Sequence, residues 1–379
     1  MFGFILILFF LTAFYGIEGL KFLRGLSLLR RGTNEREFVV SVVVAVRNEE
    51  RTIGACLEAL LSQTYPKGKY EIIVVDDQST DRTSEIVTSY LQDNSNVTLL
   101  KIEESTENWA PKKYALNAGI EKSRGEIILT TDADCLVEPT WIHRMISYFE
   151  EDIGMVAGFS QVGTPDEKLS LFGKLQAIDF LALMTTAAGA IGNNLPWAAS
   201  GQNLAYRKEA FESVGGFERI RHRPSGDDVL LLQLVSTMTE WKIRFATSEE
   251  SFVTTRPEKT VGAFLNQKRR WASNSGMQIE LNKKFFAYLV VTFSLNVLLF
   301  ITLPLSLVLE DFFFAPWISF VVKAGVDFAV IGKGTHMFRR HDLLALFPIW
   351  ELVHIPYIVV TGILGTTGGF TWKERYYNR

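Results

Sequence analysis

A chain of 379 residues, 47% of them hydrophobic, is long enough for one α/β domain together with several membrane segments, and its composition requires no third unit. A formal net charge of −3 supplies no global field that would favour nucleic acid or a strongly acidic partner, so lysines and arginines matter by position. Two cysteines, Cys56 and Cys135, support neither a disulfide scaffold nor a cysteine zinc site and suit a reducing, cytosolic setting.

Met1 to Ile17 is almost wholly apolar and is followed by Lys21, Arg24, Arg30 and Arg31. It lacks the basic start and small-residue cleavage site of a signal peptide, so residues 1–20 read as an anchor helix whose basic flank is cytosolic. Residues 36–250 alternate short β-rich runs with helical stretches, the pattern of a parallel sheet with crossover helices. The clearest strands are Phe38–Val46, Tyr70–Val75, Val97–Ile102 and Glu126–Thr131. Helices are expected over Arg51–Gln63 and Thr83–Gln92, the second capped from Ser79, Thr80 and Asp81. Right-handed crossovers then gather the loops that follow the strands at one edge of the sheet, where such folds bind ligands.

Residues 251–284 form an amphipathic, interfacial segment, and 285–370 a second membrane region. Within it, Phe285–Leu309 can span a bilayer and ends at Glu310 and Asp311. Trp317–Ile331 is poorer because it carries Lys323 and Asp327, and Leu343–Phe370 holds Pro348, Glu351, His354 and Pro356. If all three crossed, the basic tail of Lys373, Arg375 and Arg379 would lie outside, against the positive-inside tendency, so one segment is expected to be re-entrant or interfacial. Lys323 and Asp327, four apart, share a helix face, as do Glu351 and His354, three apart. They either neutralise one another in a small bundle, or Glu351 and His354, set between Pro348 and Pro356, line a cleft for the acceptor's polar head.

The strand Val40–Val46 runs into Arg47, Asn48 and Glu49 without a GxGxxG, and no GxxxxGK occurs anywhere, which counts against dinucleotide and Walker-type sites. The second strand ends in Asp76 and Asp77, carboxylates able to accept from a base imide and a ribose, or simply to cap the next helix. The fourth ends in Asp132-Ala133-Asp134, a DxD that can share a hard cation with diphosphate oxygens. Asp227 and Asp228 open an apolar helical run, where a carboxylate serves as a cap or takes a proton from a hydroxyl. Gln267, Arg270 and Trp271 make QxxRW on an amphipathic segment, offering a guanidinium fork for phosphate and a stacking surface, or a helix that only touches lipid headgroups.

Taken together, and in this order from Val40 to Trp271, these motifs resemble the membrane-bound branch of the family 2 glycosyltransferases. The resemblance implies a GT-A fold, Rossmann-like and mostly parallel, as a cytosolic α/β domain between N- and C-terminal transmembrane helices. It implies a nucleotide-sugar donor, most often a UDP-sugar, with Mn2+ or Mg2+, and an inverting mechanism. Carried over by motif, Ala45, Arg47 and Asp77 flank the base with Asp76 beside it. Lys112, in the stretch Pro111–Asn117, approaches the diphosphate. Asp132 lies by the ribose or metal, and Asp134 is the metal ligand. Asp228 is the base, with Asp227 the other acid of the pair. Gln267, Arg270 and Trp271 close over diphosphate and acceptor, and the stretch from Gly201 and Gln202 to Phe217 forms the acceptor-side wall. Ala45 stands where the family often has proline, and Pro111 where it often has glycine.

The acceptor is expected to be a membrane lipid, as in ceramide and carotenoid glucosyltransferases, because few membrane segments are available to build a polysaccharide channel. The apolar stretch Asp179–Ile191 either lays the site onto the bilayer or is a core helix. The alternatives are a processive polysaccharide synthase and a catalytically silent nucleotide-sugar-binding scaffold, the latter opposed by the intact Asp134, Asp228 and Arg270. The expected setting is a multi-pass protein of a bacterial inner membrane, in contact with membrane lipids and without nucleic acid.

Overall fold

The computed structural model describes residues 2–104, 108–308, 314–367, 369–373 and 375–377. Glu310, Asp311 and Arg379, expected to mark the end of a span and the basic tail, lie outside them.

Seven strands build the central sheet: β1 (Val40–Val46), β2 (Tyr70–Asp76), β3 (Val97–Lys101), β4 (Ile127–Thr130), β5 (Ile153–Gly158), β6 (Leu204–Arg207) and β7 (Lys242–Ala246). Their order is β3-β2-β1-β4-β6-β5-β7. Pairing is parallel from β3 to β4 and between β5 and β7, while β6 runs antiparallel to both of its neighbours. The mostly parallel, mixed α/β sheet expected from the sequence is therefore present. β1 (VSVVVAV) is buried at every position except Ala45, as a parallel strand covered on both faces requires. One face meets α2 (Ile53–Leu61) and α3 (Thr83–Leu91) through Val42, Val44, Ile72 and Val74. The other meets α4 (Pro111–Lys122) and α5 (Leu171–Gly192) through Val43, Ile73, Val75 and Ile128. The capping of α3 falls to Asp81, which accepts from the amide and hydroxyl of Thr83; Ser79 and Thr80 turn instead to Asn48.

The remaining helices used below are α1 (Phe2–Leu28), α6 (Val229–Met238), α7 (Val261–Ala272), α8 (Lys283–Ser306), α9 (Phe314–Met337) and α10 (Phe347–Thr367). The first helix runs eight residues beyond the expected anchor, and α9 is a full 24-residue helix despite Lys323 and Asp327. Among the described residues five stretches are long and apolar enough to cross a membrane: Gly3–Leu28, Leu171–Gly192, Lys283–Ser306, Phe314–Met337 and His341–Thr366. Two thirds of the second is buried in the protein, against 22–39% of the others, so α5 is a core helix. It packs against α1 backbone to backbone: a Cβ on Gly25 would stand 1.8 Å from the carbonyl oxygen of Gly189.

The path of α8 to α10 is set by where their ends touch the sheet domain. α8 leaves it at Asn282, whose amide donates to Gln233 Oε1 at 2.8 Å. α9 returns to it: Phe338 stacks on Phe159 at 4.0 Å, and the buried Arg340 donates to the carbonyls of Val162 and Gly163. α10 starts there, with Phe347 and Trp350 in the core, and ends on α7, where Arg269 donates to Leu364 O at 3.1 Å. Both ends of α10 thus contact the sheet domain. Beyond it, Phe370–Trp372 and Arg375–Tyr377 pair as a hairpin lying back on the sheet edge.

Candidate active site

The carboxyl ends of β1, β2 and β4 carry the chemistry, and the first two loops are knitted together. Asn48 and Gln78 take left-handed backbone angles, φ 52° and 59°, at equivalent strand ends. Asn48 accepts from the Thr80 amide at 2.8 Å, its own amide donates to Ser79 Oγ at 3.0 Å, and the Glu49 amide donates to Thr83 Oγ1 at 2.7 Å. Arg47 crosses the gap to the carbonyls of Asp77 and Gln78, at 2.7 and 3.1 Å. Asp76 turns away: it is buried, and its carboxylate accepts the Ser79 amide at 2.9 Å. Of the sequence-predicted site residues, only Asp76 does not line the central cavity. Of the adjacent pair, Asp77 faces the site, its pKa raised by burial against the pull of Arg375 and Arg47.

Lys112, on the first turn of α4, bridges two motifs, with Asp132 Oδ1 and Asp227 Oδ2 each 2.9 Å from its Nζ. Burial opposes its charge, but the two carboxylates more than compensate and raise its pKa. Around Asp134 the negative charges outweigh the pull of Lys373. Burial, then Asp132 and Glu49, push it up to about 6. Two carboxylates one residue apart, one destabilised by its neighbours' negative charge and both open to a cavity that can admit phosphate oxygens, fit a hard divalent cation.

Asp227 and Asp228 stand in opposite surroundings. Burial alone would raise Asp227, yet Lys112 and Lys113 outweigh it and bring its pKa down to about 2. Asp228 is raised, by burial and then by the charge of Asp227. It caps α6, accepting from the Val229 amide at 2.6 Å, and accepts from Gly201 N at 2.9 Å. A side chain at 201 would crowd both acids, since a Cβ there would sit 3.2 Å from Asp227 Oδ2. Beside it, Gln202 Oε1 is buried without a hydrogen-bond partner.

On α7, Gln267 donates to Glu258 Oε1 at 3.1 Å, and Lys268 pairs with Asp179 of α5 at 2.7 Å while lying over the Trp271 ring. The Arg270 guanidinium lies over Trp372, 5.1 Å from its ring centre. Ala45, Arg47, Asp77, Lys112, Asp132, Asp134, Gly201, Gln202, Asp227, Asp228, Gln267, Arg270 and Trp271 all line one cavity of about 630 Å³.

Two groups of residues escaped the sequence reading. Lys113 is fully buried and donates to the carbonyls of Arg223 and Ser225 at 2.6 and 2.8 Å, pinning the loop that presents the Asp227–Asp228 pair. The hairpin of Phe370–Trp372 and Arg375–Tyr377 walls the cavity beside the second strand end: Arg375 bonds Asp77 Oδ2 at 2.9 Å and Gln78 Oε1 at 3.0 Å, and Lys373 pairs with Glu49. Its basic residues were visible as a tail; nothing local indicated that they fold back 298 residues to Asp77.

The same cavity continues away from the sheet edge between α5, α8, α9 and α10, past Ala187, Phe285, Leu289, Val330 and Ile358 to Tyr15, Asp327 and His354. Glu351 is not part of that lining. Its carboxylate pairs with Lys323 at 2.8 Å, and Lys323 also holds Asp327 at 2.7 Å, so the four-apart pair meets as its spacing indicated. Leu8, Leu11, Leu295 and Leu299 pack together with Tyr15 and Ile355 in an apolar cluster of the bundle.

Residues 41–215 match the family described as Glycosyl transferase family 2. Among curated relatives, Glycosyltransferase AglE of Haloferax volcanii is 33% identical over 196 residues, 50% of this chain and 59% of that protein. Beta-monoglucosyldiacylglycerol synthase of Nostoc sp. is 28% identical over 240 residues, 62% of this chain and 48% of that protein. Poly-beta-1,6-N-acetyl-D-glucosamine synthase of Staphylococcus epidermidis is 26% identical over 260 residues, 65% of this chain and 57% of that protein. The chain thus spans between about half and three fifths of these relatives' lengths. Among solved structures, the mannosyltransferase PcManGT from Pyrobaculum calidifontis, in complex with GDP-Man and Mn2+, superposes with a TM-score of 0.61 at 18% identity, covering 96% of this chain and 99% of that one. That likeness shows a shared GT-A-like fold along nearly the whole length, within which residues 41–215 are the part that matches the glycosyl transferase family 2 description.

Proposed function

We propose that this protein is an inverting glycosyltransferase that moves a hexose from a nucleoside diphosphate sugar, by preference a UDP-sugar, to the hydroxyl of a membrane lipid. The observation that carries this reading is the continuous cavity: one end holds the strand-end carboxylates, the other is an apolar chamber between helices. A pocket of this size, mostly apolar with a few converging polar groups, suits an amphiphile.

In this reading the base packs by Ala45 and Arg47 with its imide on Asp77, while Lys112 and Arg270 face the diphosphate. A Mg2+ or Mn2+ ion held by Asp134 and Asp132 would neutralise charge on the departing diphosphate. Asp228 takes the proton of the acceptor hydroxyl as its oxygen attacks the anomeric carbon opposite the leaving group, and configuration inverts. Asp227 is unsuited to that task because its pKa of about 2 leaves it a weak base. Gln267 and Trp271 close the acceptor side together with Gly201 and Gln202.

The membrane arrangement follows from the helix ends. On this reading α1, α8 and α9 cross, α10 enters the bundle with both of its ends on the side of the sheet domain, and that domain sits on the cytosolic face with the basic flanks Lys21, Arg24, Lys283, Lys284, Arg339 and Lys373.

The test is a screen of radiolabelled UDP- and GDP-sugars on membranes containing the protein, with products divided into solvent-extractable and polymeric fractions. A monoglycosylated, solvent-extractable product supports the reading. High-molecular-weight, glycosidase-sensitive product would assign a polymerase, and neither transfer nor donor hydrolysis would leave a nucleotide-sugar-binding scaffold.

A further inference from the structure

The inner end of the chamber is built from polar groups. Lys323, fully buried, donates to Asp327 Oδ2 at 2.7 Å and to Glu351 Oε1 at 2.8 Å, and the Tyr15 hydroxyl donates to the other oxygen of Asp327. One ammonium thus serves two carboxylates, Asp327 8% and Glu351 2% exposed, inside an apolar bundle. Such a cluster is one positive charge or one hydrogen-bond donor short of balance. Two of its buried polar atoms, Glu351 Oε2 and His354 Nδ1, have no partner. His354 is held flat against Trp350, ring centres 4.3 Å apart, and it and Asp327 face the cavity. Ligand-type atoms of Asp327, Glu351 and His354 lie within 4.8 Å of one another, but the Lys323 ammonium already bonds two of the three, so a metal ion is disfavoured there.

The chamber therefore has a proton acceptor, Asp228, at one end and an under-supplied hydrogen-bonding cluster at the other, with Ala187, Leu289, Val330 and Ile358 between them. Resting on the lipid-acceptor reading above, we propose that Asp327 and His354 form a second acceptor subsite. The acceptor is then an amphiphile with two polar groups separated by an apolar stretch: one hydroxyl is glycosylated at Asp228, and a second hydrogen-bond donor binds at Asp327 and His354. The second contact fixes how deeply the chain sits and hence which hydroxyl reaches the sugar.

The experiment compares α,ω-alkanediols of six to fourteen carbons with 1-alkanols of the same lengths as acceptors. It uses the full-length protein in nanodiscs and the donor found in the sugar screen. In the wild-type protein one chain length should show an acceptor KM about tenfold lower for the diol than for the alkanol. That ratio should fall to about one in His354→Ala and in Asp327→Asn. His354→Ala leaves the Lys323 ion pairs intact, so it remains informative if Asp327→Asn does not fold. Diols and alkanols saturating alike at every length, or a diol advantage that survives in His354→Ala, would overturn the subsite while leaving the glycosyltransferase reading in place. Wild-type protein that neither hydrolyses donor nor transfers sugar to any acceptor would overturn both.

Discussion

Asp227 and Asp228 show how environment divides roles between adjacent identical residues. Lys112 at 2.9 Å keeps Asp227 ionised far into acid, whereas burial and its neighbour's charge make Asp228 a stronger base than an ordinary carboxylate. Asp228→Asn should lower kcat by about a hundredfold or more with donor affinity retained, since the amide fills the same space and cannot take a proton. Retained turnover in that variant, with loss in Asp227→Asn, would move the base one residue upstream. Because the base must be deprotonated, the rate of the wild-type enzyme should fall as pH drops through the raised Asp228 pKa. Asp227→Asn removes a neighbouring negative charge that contributes to that rise, so its acidic limb should move to lower pH; a limb that stays put would dissociate Asp228 from the titration. At the proposed metal ligand, Asp134→Ala should abolish Mn2+-stimulated transfer, a loss of several kcal/mol in the barrier and so on the order of a thousandfold, while the melting temperature holds. Full activity of that variant, or of the wild-type protein in EDTA, would remove the metal from the mechanism.

At the scale of elements, the hairpin 370–377 is an expected determinant of donor binding. A guanidinium on Asp77 Oδ2 and Gln78 Oε1 fixes the acid that is to receive the base, and a charged hydrogen bond of this kind contributes about 1.5–3 kcal/mol. Arg375→Ala should raise donor KM roughly tenfold or more with kcat little changed, measured at saturating acceptor; a lower donor KM would make the hairpin an occluding strap instead. The hairpin also marks where sequence reading ends. β1 to β4 lie within two residues of their expected bounds; for β1, β2 and β4 this is because a parallel strand buried on both faces writes itself as an unbroken run such as VSVVVAV. β6, only four residues long and antiparallel, sits inside the stretch read as the acceptor-side wall, with no alternation long enough to announce a strand. α9 reads as a poor span because Lys323 and Asp327 are charged, and its partner Glu351 is supplied from another helix. Lys113 stands beside the motif lysine, and only tertiary structure shows that it holds the Asp227–Asp228 loop rather than a ligand. Local pattern thus revealed the strand ends and the acids on them, whereas contacts made across hundreds of residues remained hidden.

The whole molecule is a sheet domain packed against a small helix bundle, and the topology proposed for it rests on parity. α8 and α9, 24 residues each, are about 36 Å long, enough for a 30 Å hydrocarbon core. α8 starts at the sheet domain through Asn282 and α9 ends there through Phe338 and Arg340, so in the proposed arrangement this pair would make one outward and one inward crossing. α10, 21 residues long, could also cross by length, and a crossing would carry Arg375 to the far side of the membrane. Its C-terminal end instead touches α7, and Arg375 reaches Asp77, so both of its ends stay with the sheet domain and the proposed number of crossings after the sheet is even. The basic tail then stays with the other basic flanks, which resolves the conflict that three simple spans would create. Single cysteines can test this cleanly, because the two native ones, Cys56 and Cys135, are both buried. Val308 is 77% exposed at the far end of α8, and Tyr376 is 66% exposed on the hairpin. In intact cells a membrane-impermeant maleimide should label Val308→Cys but not Tyr376→Cys, and permeabilising the cells should bring the second into reach. Labelling of both cysteines before permeabilisation would place the hairpin across the membrane from Asp77, make α10 a true span, and remove Arg375 from the donor site.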